Sequence, residues 1–599
     1  MTDLFPLRDL DFLLWEVLSL GDLLTADRYA EHDEDSVRGM LELARSIAAD
    51  VFAPVAPVLD AHEPELVDGR VRLHPAAKEA LEAYLEAGFQ TAGFAESDGG
   101  MQLPYLVSMA TNVLFGAANT PLLVYTSLTQ AAANLLVAHG SEALKAEWLP
   151  PMVEGRFFGT MALSETQAGS SLADLSTQAV AQPDGTYRLR GSKMWITGTD
   201  HDLGGNIVNL VLARTPDAPA GTRGISLFLV PQFLADEAGD YTVPNDVRVV
   251  GINHKMGFRA AVNTVWALGD EGGAVGWLVG EENHGLKYMF TMMNEARTAV
   301  GLGAATMAWA GFRHSLSYAR ERPQGRPVRQ RDPAAPQVPI VEHADVRRML
   351  LSQKALAEGG LCLSLYAAVL VDRERVASDR GDDAEKRRLG LLLGVLTPVV
   401  KAWCSHHGLR ANDDAIQVLG GYGYTRDYAV ERLYRDNRLN PIHEGTNGIQ
   451  ALDLLGRKVF GHGAGAVLLQ QLGKGVARGA EAGGLAAELS TVLQEAVGRV
   501  VAATTALGGL GQAGDVETML ANATPYLQLV GHTVVGWMWL EQVIVAQAGL
   551  DADPSDSFLR GKLAAARYFF RWELPRTAHW ASLLNPVDRI CLDTDPSWL

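Results

Sequence analysis

Three stretches of this 599-residue sequence put reactive or ligand-seeking side chains where a turn would present them. The first, residues 417–450, reads QVLGGYGYTRDYAVERLYRDNRLNPIHEGTNGIQ. Gly420 and Gly421 end a helical pattern as a C-cap requires. A charged amphipathic stretch follows from about Asp427 to Asp436, and Pro441 then forces an extended turn. That turn carries Glu444 directly before Gly445, with Thr446 or Asn447 placed to cap the next helix. A carboxylate held this way suits a general base; the plainer reading is a Glu supporting a helix N-terminus electrostatically. The second stretch, MALSETQAGSSLADL at 161–175, crowds Ser164, Thr166, Gly169, Ser170 and Ser171 into a turn whose main-chain N–H groups can meet a polar ligand. In the third, KMWITG at 193–198, strand alternation puts Trp195 and Thr197 on one face. A ring beside a hydroxyl suits a flat heteroaromatic ligand; a buried core Trp is the alternative.

Other chemistries lack their signatures. There is no G-x-S-x-G elbow, no P-loop and no glycine-rich turn opening a dinucleotide-binding unit. Cys404, His406 and His407 have metal-binding side chains, but positions i, i+2 and i+3 of one helix do not converge on an ion, so no metal site is expected.

The elements that must hold these stretches follow from hydrophobic spacing. Residues 1–158 read as helical, with Ser36 as a candidate N-cap for a helix ending near Pro54, and helical spacing over 75–87 and 122–137. Residues 159–282 read as short strands, with a Pro-Asp-Gly hairpin turn in AVAQPDGTYRLRGSKMWITG. Helical spacing returns at about Leu286 over 283–459, interrupted by the Pro- and Arg-rich loop GRPVRQRDPAAPQVP. GHGAGA reads as a linker into a last helical region, 460–599. The expected fold class is α+β: an N-terminal helical domain, a central antiparallel β domain, a helical bundle domain and an extra C-terminal helical domain.

Composition bounds the partners. Lys and Arg number 51 against 70 Asp and Glu, a net charge of −19, which argues against a nucleic-acid backbone or an anionic membrane as the main partner. A local cationic cluster can still hold a small anion. The hydrophobic fraction of 48% supplies a large core. Cys362, Cys404 and Cys591 lie too far apart for a disulfide framework. The N-terminus lacks a secretory layout, and the most apolar stretch, 529–540, is too short and polar to span a bilayer. A soluble cytoplasmic protein with no transmembrane segment is expected.

LSETQAGSSL, KMWITG, GTRGISLFLVP, HKMGFR and HEGTNGIQ, in this order, resemble the acyl-CoA dehydrogenase family over about residues 35–458. The long bacterial branch with a C-terminal helical extension, which includes fatty acyl-CoA and 3-methylmercaptopropionyl-CoA dehydrogenases, is the most similar. The resemblance implies non-covalent FAD and formation of a trans α,β double bond in an acyl-CoA thioester, with Glu444 abstracting the α-proton and flavin N5 accepting the β-hydride. Some members carry the base on the helix that holds MMNEARTAV here; that position is Ala296, and Glu295 is one residue off. For the flavin, the resemblance implies Leu163, Ser164, Trp195 and Thr197 at the isoalloxazine, with Gly169 and Ser170 in the same cofactor loop. Arg322 and Gln324 match contacts to the FAD pyrophosphate across a subunit boundary. Gln417, Gly420 and Gly421 match adenosine-side contacts, and Thr446 a further FAD contact. Ser170, Asn294, Arg297 and Gly445 match acyl-CoA positions. Three departures stand out: Thr166 and Gln167 replace a common Pro-Gly, an insertion at 327–340 separates Arg322 from His343, and Ala344 stands where many relatives have Gln.

The implied partners are an acyl-CoA substrate, electron-transferring flavoprotein as acceptor, and a second copy in a homodimer or tetramer. Two competing classes share the fold: a DNA-associated alkylation-response flavoprotein, supported by the basic stretch Arg560, Lys562, Arg567, Arg571 and Arg576, and a flavin monooxygenase, which would not need Glu444.

Overall fold

The computed structural model describes residues 6–599. The chain divides into two compact units: Arg38–Ala299, and a second that joins the residues up to Val37 with Val300–Leu599.

In the first unit, helices pack beside a β-sheet. The helix expected to start at Ser36 begins at Glu34 instead, because Asp33 is the cap. Asp33 Oδ1 accepts from the Ser36 N–H at 2.8 Å and Ser36 Oγ accepts from the Asp33 N–H at 3.0 Å, a reciprocal capping box. Nor does this helix stop near Pro54. It passes through a π-helical turn, Ala48–Phe52, and continues over Ala53–Ala61. The missing N–H of Pro54 falls where the wider turn has already shifted the hydrogen-bond register. Phe52, Tyr84, Phe89 and Phe115 form the aromatic centre of this layer, with ring centroids 5.0–5.5 Å apart for most pairs. The helix Tyr105–His139 breaks at Asn119, two residues before Pro121.

The first 158 residues are not all helical. Strands β1 (Glu65–Val67) and β2 (Arg70–Arg72) form a hairpin across Asp68 and Gly69, both with positive φ. Asp-Gly between short apolar runs is a hairpin signal.

The main sheet is built from β3 (Phe157–Ala162), β4 (Gln178–Ala181), β5 (Tyr187–Thr197), β6 (Asn206–Ala213), β7 (Ser226–Pro231), β10 (Val247–Ile252), β11 (Asn263–Leu268) and β12 (Ala274–Leu278). A separate hairpin holds β8 (Phe233–Ala235) and β9 (Tyr241–Pro244). The order is β10-β11-β5-β12-β7-β6-β3, with β4 on β5. The sheet is antiparallel except at one edge, where β3 and β6 pair in parallel; between them the chain builds the β4–β5 hairpin before running back alongside β3. β6 and β7, apolar apart from Asn206, Asn209 and Ser226, are buried along their whole length.

The second unit is helical. Ala344–Asp379 and Asp383–Leu419 lie against each other, and Ala464–Ala482, Gly484–Gln512, Ala523–Ala552 and Ser557–Tyr568 complete the bundle. The expected linker is a short break at His462–Gly463, where Gly463 has φ +68°. Ala523–Ala552 packs closely on the first pair of helices. A Cβ at Gly531 would come within 2.6 Å of the Trp403 ring, and Trp539 Nε1 donates to the Ala355 carbonyl at 3.0 Å.

Among the described residues, four helices are long and apolar enough to cross a membrane by length and composition, more than the single short candidate read from the sequence. Their apolar windows are 72–89% buried within the protein, so those faces are already occupied.

Candidate active site

In the first unit, the loop after β3 is organised by one carboxylate. Glu165 Oε2 accepts from the Ser176 N–H and hydroxyl at 2.8 and 2.6 Å, and Oε1 from the Thr177 hydroxyl at 2.6 Å. Lys193 Nζ, reaching down from β5, donates to Glu165 Oε1 at 2.9 Å and to the Leu163 and Leu212 carbonyls. Burial alone would push the Glu165 carboxyl up, but Lys193 and the two hydroxyls outweigh it and hold it at about 2. Burial also pulls the Lys193 ammonium down to about 8 against the attraction of Glu165, so both groups are charged at neutral pH. Gln167 donates to Glu165 Oε2 at 2.7 Å and to Ser176 Oγ at 3.0 Å. A hydrogen-bond net thus fixes the loop without proline. It presents Gly169, Ser170 and Ser171 to solvent, while Leu163 packs against the sheet's core and the Ser164 carbonyl accepts from the Met194 N–H at 3.0 Å.

Trp195 does not follow regular strand alternation. Opposite β11, Ile196 pairs with Thr264 and Met194 with Val265, leaving Trp195 as the extra residue of a β-bulge. Its φ is +65°, left-handed backbone that costs a bulky residue about 1–2 kcal/mol. In ideal alternation Lys193 and Trp195 would share a face. The bulge separates them, so that Lys193 is fully buried and Trp195 is 61% exposed. The buried-core reading of Trp195 is therefore corrected: the backbone is strained to display the ring. Beside it, Thr197 accepts at Oγ1 from Asn263 Nδ2 at 3.3 Å, and its carbonyl accepts from the Thr160 hydroxyl at 2.6 Å.

In the N-terminal half of the helix Gly285–Glu321, Asn294 is exposed and Arg297 is buried, its guanidinium 5.7 Å from the Phe290 ring centre. Glu295 accepts from Asn134 Nδ2 at 3.0 Å, and Ala296 packs on the core.

In the second unit, a cleft of about 710 Å³ opens at the end of the helix Asp383–Leu419. Tyr318, Arg322, Gln324, His343, Gly420 and Gly421 all line it. The 327–340 insertion does not pull Arg322 away from His343. Its two ends close on each other through the Gln324 N–H to the Val338 carbonyl at 3.0 Å and the Ile340 N–H to the Arg322 carbonyl at 2.9 Å. His343 Nε2 then reaches the Gln324 carbonyl at 2.7 Å. A Cβ on Gly420 or Gly421 would meet nothing within 4 Å, so this glycine ledge faces open space. Gln417 is exposed on the helix but is not among the residues that line the cleft.

Glu444 also sits in left-handed backbone, φ +53°, followed by Gly445 at +79°. Its loop is held from several sides. Gln450 Nε2 donates to the Glu444 and Gly445 carbonyls at 3.1 and 3.2 Å. Thr446, rather than Asn447, caps the following helix by accepting from the Ile449 N–H. Asn447 instead anchors the loop to the long helix, its Oδ1 accepting from Lys401 Nζ at 3.2 Å and Ser405 Oγ at 3.0 Å. Burial, and then the Lys401 cation, push the His443 imidazole down to about 3, so it is neutral in the working range. Lys401, Asn412, Asn437, Asn440 and His443 were missed by sequence reasoning, and Asn447, read there as a possible cap, serves as an anchor instead. The available signal was a recurrence of Asn and Lys at positions where helical spacing expects apolar residues.

The basic C-terminal stretch does not present all of its cations to solvent. Lys562 is fully buried between Asp9 (2.9 Å) and Glu358 (2.8 Å), and Arg576 pairs with Glu573 at 3.0 Å. These pairings neutralise two of the five cations that supported a DNA-associated reading, while Arg560, Arg567 and Arg571 stay exposed.

A helical layer, a β domain with a displayed ring and a helical bundle carrying a strained carboxylate make up an architecture with solved members. One of these, an acyl-CoA dehydrogenase from Bacillus anthracis complexed with FAD, is 20% identical and superimposes with a TM-score of 0.74 over 96% of this chain and 92% of that one. Residues 34–156, 160–266 and 283–459 match the N-terminal, middle and C-terminal domains of acyl-CoA dehydrogenase, and 468–595 match the acetyl-CoA dehydrogenase C-terminal-like domain. A 3-methylmercaptopropionyl-CoA dehydrogenase of Ruegeria pomeroyi is 37% identical over 95% of both chains, and a broad-specificity linear acyl-CoA dehydrogenase of Mycobacterium tuberculosis 34% identical over 98% of both. The chain belongs to the acyl-CoA dehydrogenase family, with the extra C-terminal domain.

Proposed function

We propose that this enzyme dehydrogenates an acyl-CoA thioester to the trans-2-enoyl-CoA, with Glu444 as the base. The observation that carries the assignment is the left-handed main chain of Glu444, a strained conformation held from several sides at a carboxylate followed by glycine.

FAD is the cofactor this reading requires, and the residues present fit it. Arg322 offers a cation to a pyrophosphate, Gly420 and Gly421 form a ledge bare of side chains, and Trp195 and Thr197 offer an exposed ring beside a hydroxyl. Bound FAD supplies the acceptor for the hydride that leaves the β carbon. Glu444 takes the α-proton on a carboxylate oxygen. A thioester α-proton is weakly acidic, so the developing charge on the thioester oxygen needs a preorganised donor; the main-chain N–H of Glu444 is assigned that role. Ser170, Asn294, Arg297 and Gly445 are assigned to the acyl-CoA.

The substrate class extends to straight-chain acyl groups and to the methylthiopropanoyl group, the two named among the relatives. Electron-transferring flavoprotein is the proposed acceptor, a homodimer the proposed assembly and the cytoplasm the proposed location. Anaerobic titration with a panel of acyl-CoAs tests the reading. One member should bleach the flavin of the wild type, and Glu444→Gln should keep its flavin but lose the bleaching rate by roughly 100- to 10,000-fold. Near-wild-type bleaching by that variant sinks the assignment of the base. Flavin that no acyl-CoA reduces favours the monooxygenase reading.

A further inference from the structure

A one-way chain of side-chain amides ends next to Glu444. Asn412 Nδ2 donates to the Met307 carbonyl at 2.9 Å. Asn437 Nδ2 donates to the Ala304 carbonyl at 3.1 Å and to Asn412 Oδ1 at 2.7 Å. Asn440 Nδ2 donates to Asn437 Oδ1 at 2.9 Å, and His443 Nε2 lies 3.0 Å from Asn440 Oδ1. The three amides are 0–2% exposed. Gly408 makes room for the arrangement, since a Cβ there would sit 2.7 Å from the Ala304 carbonyl oxygen and 3.2 Å from Asn437 Nδ2.

The chain has a direction because its starting points can only accept. Main-chain carbonyls 304 and 307 demand donors, so Asn412 and Asn437 must turn their NH₂ groups toward them. Each amide then has its oxygen left for the next donor. Asn440 consequently presents an oxygen to the imidazole, and a neutral His443 must meet it with Nε2–H, leaving Nδ1 without a proton. Carbonyls on the helix Gly285–Glu321 thus select one tautomer of the residue that precedes Glu444.

We propose that His443, fixed by the Asn412–Asn437–Asn440 chain, is a positioning residue that holds Glu444 in the single orientation from which it abstracts the α-proton. This rests on the assignment of Glu444 as the base. His443 does not touch the reacting carbon. Its tether to Asn440 fixes the main chain entering the left-handed residue, while Gln450 and Asn447 fix the chain leaving it. Misplacing a base by about 1 Å is enough to slow a reaction roughly 100-fold without altering binding of the rest of the substrate.

The test swaps the donor at position 443 in the FAD-loaded enzyme and follows flavin bleaching by stopped flow, using the acyl-CoA that reduces the wild type. Gln places an amide nitrogen close to where the Nε2 of histidine lies, and Asn does not reach that far. His443→Gln should stay within about threefold of the wild-type rate. His443→Asn should lose roughly 10- to 100-fold, with the acyl-CoA dissociation constant and flavin content within about twofold. Asn440→Leu, which removes the acceptor, should lose as much and serves if His443→Asn fails to fold. ¹⁵N spectra of histidine-labelled holoenzyme should show His443 as the Nε2–H tautomer. The proposal is overturned if His443→Asn keeps the wild-type rate, if His443→Gln is equally slow, or if His443 carries its proton on Nδ1. Glu444→Gln separates the two failures: if it is inactive while His443→Asn is fully active, only the positioning role is lost. If it is fully active, the base assignment and this proposal fall together.

Discussion

Lys193 Nζ and Glu165 Oε1 lie 2.9 Å apart, with side chains 0% and 1% exposed, beneath the loop that carries Leu163, Ser164 and Ser170. A buried ion pair of this kind returns little net stability while intact, because both charges are taken out of water, but breaking it strands one of them. Lys193→Met should therefore destabilise the first unit by about 3–5 kcal/mol in urea unfolding. A loss under about 1 kcal/mol would mean that the Ser176, Thr177 and Gln167 donors suffice to hold Glu165. The acid limb follows from the same pair. Because the folded Glu165 carboxyl is lowered to about 2, its contribution is complete above its ordinary value of 4.5 and disappears as the pH falls through about 2. The wild-type urea midpoint should begin to drop near pH 4.5, and Glu165→Gln should remove that component.

Trp195 is a strained residue with little burial to compensate. Trp195→Gly relieves left-handed strain and gives up a ring that is 61% exposed. Its stability should equal or exceed that of the wild type, by up to about 1 kcal/mol, while flavin affinity falls at least about tenfold. Thermal unfolding of the apoprotein and FAD titration check the two halves separately. A destabilisation above about 1 kcal/mol would reassign the ring to packing.

Gly421 separates folding from cofactor binding. Nothing lies within 4 Å of a Cβ at this position, so Gly421→Leu should fold with a melting temperature within about 2 °C of the wild type. The added side chain occupies the cleft shared with Arg322 and Gln324, so the dissociation constant for FAD should rise at least about tenfold. Unchanged affinity would place the cofactor elsewhere.

Lys562 ties the N-terminal segment to the C-terminal region through Asp9 and Glu358. Lys562→Met should cost the second unit about 3–5 kcal/mol, since two buried carboxylates lose their shared cation and Glu358 keeps only Lys354. Urea unfolding followed by far-UV circular dichroism measures it. A change below about 1 kcal/mol would show that Asp9 and Glu358 find other partners.

Much of this protein was legible in its sequence. The succession of helical, β and helical regions follows from a hydrophobic period that changes from 3.6 to 2 and back, and period is a local property. The Glu444–Gly445 turn was marked by Pro441, and the cleft's glycine ledge by Gly420–Gly421. Other features depended on which residues meet across hundreds of positions. Asp33 displaced Ser36 as a cap through a reciprocal pair of bonds, and Asp68–Gly69 made a hairpin in a region read as helical. The bulge at Trp195 arises from the pairing of β5 with β11, a register that no single strand encodes. Lys562, read with the basic stretch 560–576, is buried against Asp9, more than five hundred residues earlier. Sequence alone thus determined the order of elements and the chemical types at the site, because periodicity and turn chemistry act over a few residues. Only the tertiary structure decided which charges are buried in pairs, which ring is displayed and which amides line up beside His443. Those outcomes are set by partners that only folding brings within hydrogen-bonding distance.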